Sequence, residues 1–475
     1  MTATSIPTIR AAVLGLALAG VLACSDDEPA GPQVGNDPAD AIVLTGNITT
    51  DRTLSPDSAE VYVLSGYVKV TNGATLTIEP GTIIVGDTLV PGSSLWILRG
   101  ARIIAEGTAD RPIVFTSQRA PGHRRPGDWG GIIIIGNGII NRTGSTILTE
   151  GPAGGVAENY AGGTDNNDSS GSLRYVRIEF AGYDVSGGAG QELNALSMYA
   201  VGRGTRIEYV QALAGLDDSF EWWGGAVDTR YLVSVEAGDD HFDWTEGYQG
   251  RNQFLIAFQN TRLDPRPGTG TYSGDPNSFE GDGCDPSVSG CVLGTDTAST
   301  PLSNPVFANF TVIHGGNGAS FPAGTNGLVL RRGTAGAFYN GIVARHKGTG
   351  LNIRDAFTDR NRQAGRLDIR SLAFVENGAN FDPENGSNFG KKSNFPDHGL
   401  IEIDGPASSL FVSLNPANPD FTPTAGSPVT TGGSPVPAER VQGYFGGTWQ
   451  NTTYLGAASP NGPRWWQGWT SFATD

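Results

Sequence analysis

The sequence predicts an all-β fold, a right-handed parallel β-helix: a solenoid of about 22 residues per coil with N- and C-terminal caps and long surface loops. Three observations predict it. The 475 residues include 69 glycines and 29 prolines. That opposes a helix-rich fold, because Gly inside a helix costs about 1 kcal/mol relative to Ala. The middle of the chain repeats: Asp217-Asp218-Ser219-Phe220-Glu221-Trp222 aligns with Asp239-Asp240-His241-Phe242-Asp243-Trp244, an offset of 239 − 217 = 22. Tyr209-Val210 falls on Tyr231-Leu232 and Gly225 on Gly247 at the same offset, and a further step lays Leu232-Val233-Ser234 over Phe254-Leu255-Ile256. Such a period is too long for one strand and too short for a domain, and it suits one coil of a solenoid. Finally, short runs of β-forming residues, such as Arg206-Ile207-Glu208-Tyr209-Val210 and Phe310-Thr311-Val312-Ile313, show no helical period.

Read from the N-terminus, Arg10 precedes an apolar stretch, Ala11 to Leu22, that runs into Val21-Leu22-Ala23-Cys24. About 12 apolar residues are too few for a bilayer of about 30 Å and fit an exported leader. Val-Leu-Ala-Cys resembles the bacterial lipobox. That resemblance implies a signal peptide over residues 1–23, a lipid on Cys24 and an outer-membrane address on the cell surface. Ser25 in place of Asp after the Cys, and the acidic Ser25-Asp26-Asp27-Glu28, agree with that address. Residues 24–40, with Pro29, Gly31, Pro32, Gly35 and Pro38, read as a flexible tether. No other stretch is long and apolar enough to cross a membrane.

The β-helix with its N-terminal cap is expected over 41–404, the cap near 41–75. Leu76–Ile84, Leu95–Leu98, Ala101–Thr108 and Pro112–Ser117 are strand-like, and Ile132-Ile133-Ile134-Ile135 matches a strand buried on both faces. Some ten to twelve coils are expected. Stretches 150–172, 183–191, 262–304 and 354–365 are expected as loops. Exposed end coils invite edge pairing, so residues 405–475 are expected to cap the C-terminal end. Cys284 and Cys291 bracket Asp285 to Gly290 in a Gly-rich insertion, and in an exported chain a local disulfide is the natural reading, a metal pair the alternative.

Formal charge is −17, which argues against a nucleic acid partner. The acids of the repeat are the main candidate site. In the 22-residue register, Asp217, Asp218 and Glu221 lie one coil from Asp239, Asp240 and Asp243, equivalent carboxylates about 4.8 Å apart. Like charges at that distance repel by about 1 kcal/mol even in water. A bound cation, raised pKa values or hydrogen bonds to turn amides must offset this. Calcium is the cofactor such oxygen-rich clusters suit, with Asp217, Asp239, Glu221 and Asp243 as ligands. Trp222, Trp223, Trp244 and Tyr248, with Glu246, are candidate ligand-binding residues. Flat rings beside carboxylates suit a sugar, and the same rings also suit core packing. Asp165-Asn166-Asn167-Asp168 reads as a turn, lacking the Gly and Glu of a calcium-binding EF-hand loop.

These strand phrases, with Tyr160-Ala161-Gly162-Gly163-Thr164-Asp165 and the closing Trp465-Trp466-Gln467-Gly468-Trp469-Thr470, resemble a family of secreted bacterial lipoproteins with parallel β-helices of pectate-lyase-like architecture. The resemblance covers most of residues 75–475 and implies architecture more than chemistry. A looser resemblance links the repeat to β-helical polysaccharide hydrolases, which gather an Asp, an Asp pair and a His on neighbouring coils. It implies Asp217, Asp218, Asp239, Asp240 and His241 as catalytic candidates, although no Gly-His-Gly or Arg-x-Lys segment follows. Lyases of this architecture add an Arg or Lys base, and Arg230, Arg251 and Arg262 lie nearby in sequence. The leading expectation is a surface lipoprotein that binds glycan and calcium. The alternatives are a polysaccharide hydrolase or lyase working in the acidic groove, and a structural or adhesive envelope protein.

Overall fold

A computed structural model describes Met1 and residues 41–151, 156–188, 190–294, 297–316, 321–322 and 324–475. The expected leader, the lipid-bearing Cys24 and the tether lie outside the described residues. Two parallel sheets of 15 and 11 strands run along one rod, and the longer carries a path of twelve strands paired coil on coil. The architecture is a right-handed parallel β-helix.

The first coils have three short strands each. Tyr62–Leu64, Tyr67–Val70 and Thr75–Ile78 pair in parallel with Ile83–Gly86, Ser94–Ile97 and Arg102–Glu106 of the next coil. At Gly171–Glu179 two faces fuse. Its first half continues the ladder of Arg102–Glu106 and its second half that of Ile113–Ser117. Each later coil up to residue 375 has one long strand, bent midway, and one short strand. The bend is a left-handed residue: Tyr175 (φ 49°), Tyr209 (φ 55°), Tyr231 (φ 59°), Phe254 (φ 64°), Asn309 (φ 55°), Asn340 (φ 57°) and Ser371 (φ 54°). Bulky residues there are strained by about 1–3 kcal/mol each. Stacking offsets this, with ring centroids 4.4 Å apart for Tyr175–Tyr209 and Tyr209–Tyr231 and 5.1 Å for Tyr231–Phe254.

The 22-residue spacing holds from Arg206 to Asp228 and from Phe220 to Phe242, then drifts. Leu232 pairs with Leu255, not Phe254. The turn before Arg251 holds one more residue than the turn before Asp228, so the next long strand starts 23 residues on. Later coils carry insertions: Arg251 pairs with Val306 and Val306 with Ala337.

Three expectations are corrected. Residues 41–75 form strands of the first coils, beginning with Ile42–Leu44, because their alternating apolar residues can join the core directly. The 354–365 stretch contains a helix, Ala356–Gln363, whose N-cap Asp355 accepts the amides of Phe357 (2.8 Å) and Thr358 (2.9 Å). The 262–304 stretch contains the in-register strand Asn277–Asp282.

The C-terminal segment does not sit over the last coil. It runs back along the outer face of the long strands. Phe421, Trp466 and Trp469 bury Phe180, Leu213, Val233, Ile256 and Ile342 in a second apolar cluster outside the rod. Its last residue, Asp475, pairs with Arg124 at 2.6 Å. Outward positions in the second halves of the long strands, among them Leu213, Val233, Val235, Ile256 and Phe258, are themselves apolar, so they need this sheath. Cys284 and Cys291 form a disulfide. Among the described residues, no helix is long and apolar enough to cross a membrane.

Candidate cation and ligand site

The repeat acids lie where a long strand turns into the next short strand. Coil registration is locked there by a side-chain ladder. The side-chain oxygen of Asn194 accepts the Asp218 amide (3.1 Å), and that of Asp218 accepts the Asp240 amide (2.8 Å). Asp240 then accepts the Asn277 amide, Asn277 the Asn326 amide (3.2 Å) and Asn326 the Thr349 amide (2.9 Å). Five successive coils thus present an Asn or Asp to the amide above. This gives Asp218 and Asp240 the structural role of satisfying turn amides.

Beyond the ladder, strand alternation sends Phe220, Phe242 and Phe279 inward, stacked at 5.7 and 5.1 Å. Their neighbours Glu221, Asp243 and Glu280 point outward in register. Asp217 and Asp239 flank this row. The expected juxtaposition of acids from successive coils is therefore present. Three overlapping groups bring carboxylate oxygens within 4.8 Å of one another: Asp217–Asp218–Asp239, Asp218–Glu221–Asp243 and Asp240–Asp243–Glu280.

Seven carboxyls so placed resist ionisation. Burial, then the neighbouring charges, raises Asp217, Asp218, Glu221, Asp240 and Asp243 well above the usual range. Burial pushes Asp239 up to about 7, and it pushes Glu280 up to about 8 despite the ion pair with Arg331. Asn194 donates to Glu221 (2.7 Å) and Asn277 to Glu280 (3.1 Å). Asp239 Oδ1 and Asp243 Oδ1 are buried oxygens without a hydrogen-bond partner. Uncompensated buried oxygens inside an all-oxygen cluster fit a hard cation such as calcium.

His241 does not join this row. Its Nδ1 meets Ser234 Oγ at 2.5 Å, and burial lowers its pKa to about 3, so the ring is neutral and inside the rod. It is placed as a packed polar core residue, not as a proton donor facing solvent.

The sugar-stacking expectation is corrected for three rings. Trp222, Trp244 and Tyr248 share the inward parity of the phenylalanines and are 0% exposed. Trp222 stacks on Tyr248 at 5.2 Å, and the Trp244 indole donates to Thr334 Oγ1 at 3.1 Å. Trp223 faces outward but is 8% exposed, stacked on Tyr199 at 4.0 Å. Glu246 accepts from Tyr160 (2.7 Å) and Arg142 (3.1 Å), so its carboxylate serves to hold the loop that carries both.

Glu280 escapes the 22-residue period, because 280 − 243 = 37. Its signal is in the wording of the chain: Asn277-Ser278-Phe279-Glu280 repeats Asp218-Ser219-Phe220-Glu221. Glu150 lies outside the repeat and carries no such signal. Burial and Glu192 push it up to about 8.

With this geometry in hand, comparison with known proteins places the chain in a family. The profile of the pectate-lyase-like β-helix domain matches residues 46–398, and the chain belongs to that family. Among solved structures it is similar to pectate lyase Pel9A, with 15% identity, 90% of each chain covered and a TM-score of 0.41. No curated protein matches the sequence.

Proposed function

We propose that the protein is a surface-exposed outer-membrane lipoprotein that binds polysaccharide, with calcium held by the acidic row. The reading is carried by the unpartnered buried oxygens of Asp239 and Asp243 inside overlapping carboxylate groups. Asp217 and Asp239 would hold an ion in one group and Glu221 and Asp243 in the next, the two sharing Asp218, with Glu280 joining Asp243 in the third. A cation there relieves carboxylate repulsion and leaves coordination positions for sugar hydroxyls or carboxylates. The family's β-helix domain supports a polysaccharide-related role, and the Val21–Cys24 motif supports the anchor. The test is metal analysis and calorimetry on the full mature chain. Bound calcium that EDTA removes, and that Asp243→Asn fails to retain, is expected. A chain that takes up no calcium after EDTA treatment overturns the cation reading.

A second reading, a polysaccharide hydrolase or lyase, is favoured by one observation: Asp239, pushed up to about 7, is poised for proton transfer near neutral pH. Turnover on a polysaccharide panel that Asp239→Asn abolishes would establish it over pure binding.

A further inference from the structure

A cleft of about 580 Å³ lies at the opposite end of the short strands from the acidic row, between the rod and the returning C-terminal segment. Arg203, Arg251, Arg440, Asn167, Gln249 and Asn304 are on its wall. Arg251 is clamped by the Asp228 carboxylate, with Nε to Oδ1 at 2.8 Å, so its charge is balanced. Arg203 and Arg440 differ. Arg203 Nη2 donates to the Gln249 carbonyl (3.2 Å), and its buried Nε has no partner. Arg440 donates to the Asn304 side-chain oxygen (3.2 Å) and to the carbonyls of Gly365 and Arg366. Every acceptor on these two guanidiniums is neutral. Glu439 is the one carboxylate among the described lining residues.

Arg203 is also held in place. A Cβ on Gly202 would lie 2.5 Å from the Asp168 carbonyl oxygen, and one on Gly204 would lie 2.6 Å from that of Asn167. The two glycines let this turn press onto the 165–168 turn, where the Arg203 amide donates to the Asn166 carbonyl at 2.8 Å. A second cavity, of about 270 Å³, shares the Arg203 wall. Burial disfavours the Arg203 charge, and the field of Asp228, a carboxylate already clamped on Arg251, offsets this only in part. In a chain of net charge −17, a preorganised guanidinium without a carboxylate partner of its own, facing a polar cleft, calls for an anion. Arginine is the side chain best shaped to bind an oxyanion, and amides suit hydroxyls.

We propose that this cleft binds a polyhydroxylated oxyanion of sugar size, with Arg203 and Arg440 taking the carboxylate, sulfate or phosphate group and Asn167, Gln249 and Asn304 the hydroxyls. A volume of about 580 Å³ lies within the range of small-molecule sites. The site is independent of the acidic row and of the cation proposed there.

The test is calorimetric titration and thermal melting of the full mature chain with sodium sulfate, sodium phosphate, glucuronate and glucose at matched ionic strength. Saturable binding of at least one oxyanion, none of glucose, and at least about tenfold weaker binding by Arg203→Gln and by Arg440→Gln are expected. Glucuronate binding above sulfate and phosphate marks a sugar acid; the reverse marks a free or ester oxyanion. Sulfate also stabilises proteins by exclusion, so an equal melting shift in wild type and both variants overturns the proposal. So does saturation by glucose alone, or by no ligand. If Arg203→Gln melts early without ligand, Arg440→Gln, on the outer segment, decides between these outcomes. Calcium retention by both variants separates this result from any failure of the cation site.

Discussion

The carboxylate of Asp218 accepts the backbone N–H of Asp240, one coil away, at 2.8 Å. The same bond is made by Asn in the coils before and after this pair. Two acids therefore stand where amides suffice for the scaffold. What they add is charge density beside Glu221 and Asp243, which a scaffold alone would not select.

Replacing Asp218 separates the two roles. Asp218→Asn keeps the acceptor and removes a charge, so in EDTA at pH 8 it is expected to melt above wild type. Asp218→Ala leaves the Asp240 amide unpaired in a buried turn and is expected to lose about 1–3 kcal/mol. Chemical denaturation of both variants checks this, and an Asn variant weaker than wild type in EDTA counts against crowded charge.

Stability should fall with rising pH when the metal is removed. Asp239 at about 7 and Glu280 at about 8 hold protons in the folded state that the unfolded chain has released above about pH 4. The penalty therefore grows as pH rises through the folded values. His241, lowered to about 3, and His346, lowered to about 4, act oppositely below about pH 6.5, where only the unfolded chain protonates them. The window from pH 6.5 to 8 isolates the carboxyls. Melting temperature in EDTA is expected to drop across it, and calcium is expected to restore it most at pH 8.

Much of this is legible in the sequence. The Asp-Asp-x-Phe-acid-Trp repeat picks out the two coils that set the site, because neither carries an insertion. Parity is the harder question. Phe220-Glu221-Trp222-Trp223 admits either face outward until a neighbouring sheet is known, so three core rings pass as surface candidates. The destination of the C-terminal segment is hidden too. A tryptophan-rich tail looks the same whether it closes an end or lines a flank. Only the apolar outward positions, Val233, Val235, Ile256 and Phe258, reveal that the flank needs cover.

The stacked bend predicts an inverted substitution order. Gly in a strand is ordinarily weaker than Ala by about 0.5–1 kcal/mol. At Tyr209, with φ 55°, Ala keeps the left-handed strain and loses the rings on both sides, whereas Gly loses only the rings. Tyr209→Gly is expected to be the more stable of the two in urea unfolding. The ordinary order would remove strain as an account of this bend.

The proposed anchor gives a cellular prediction. Cys24→Ser is expected to move the protein from the membrane fraction to the soluble or secreted fraction, followed by immunoblot. Unchanged membrane fractionation would refute lipidation at this residue.

The pairing of Asp475 with Arg124 spans 351 positions of sequence. A contact between an early coil and the far end of the returning segment thus helps to hold that segment against the rod. A chain cut before Phe421 would display an apolar stripe down its side, because Phe180, Leu213, Val233 and Ile256 would lose the rings that cover them. Such a stripe is the kind of surface that drives copies of a protein to associate, so the returning segment guards the rod against aggregation.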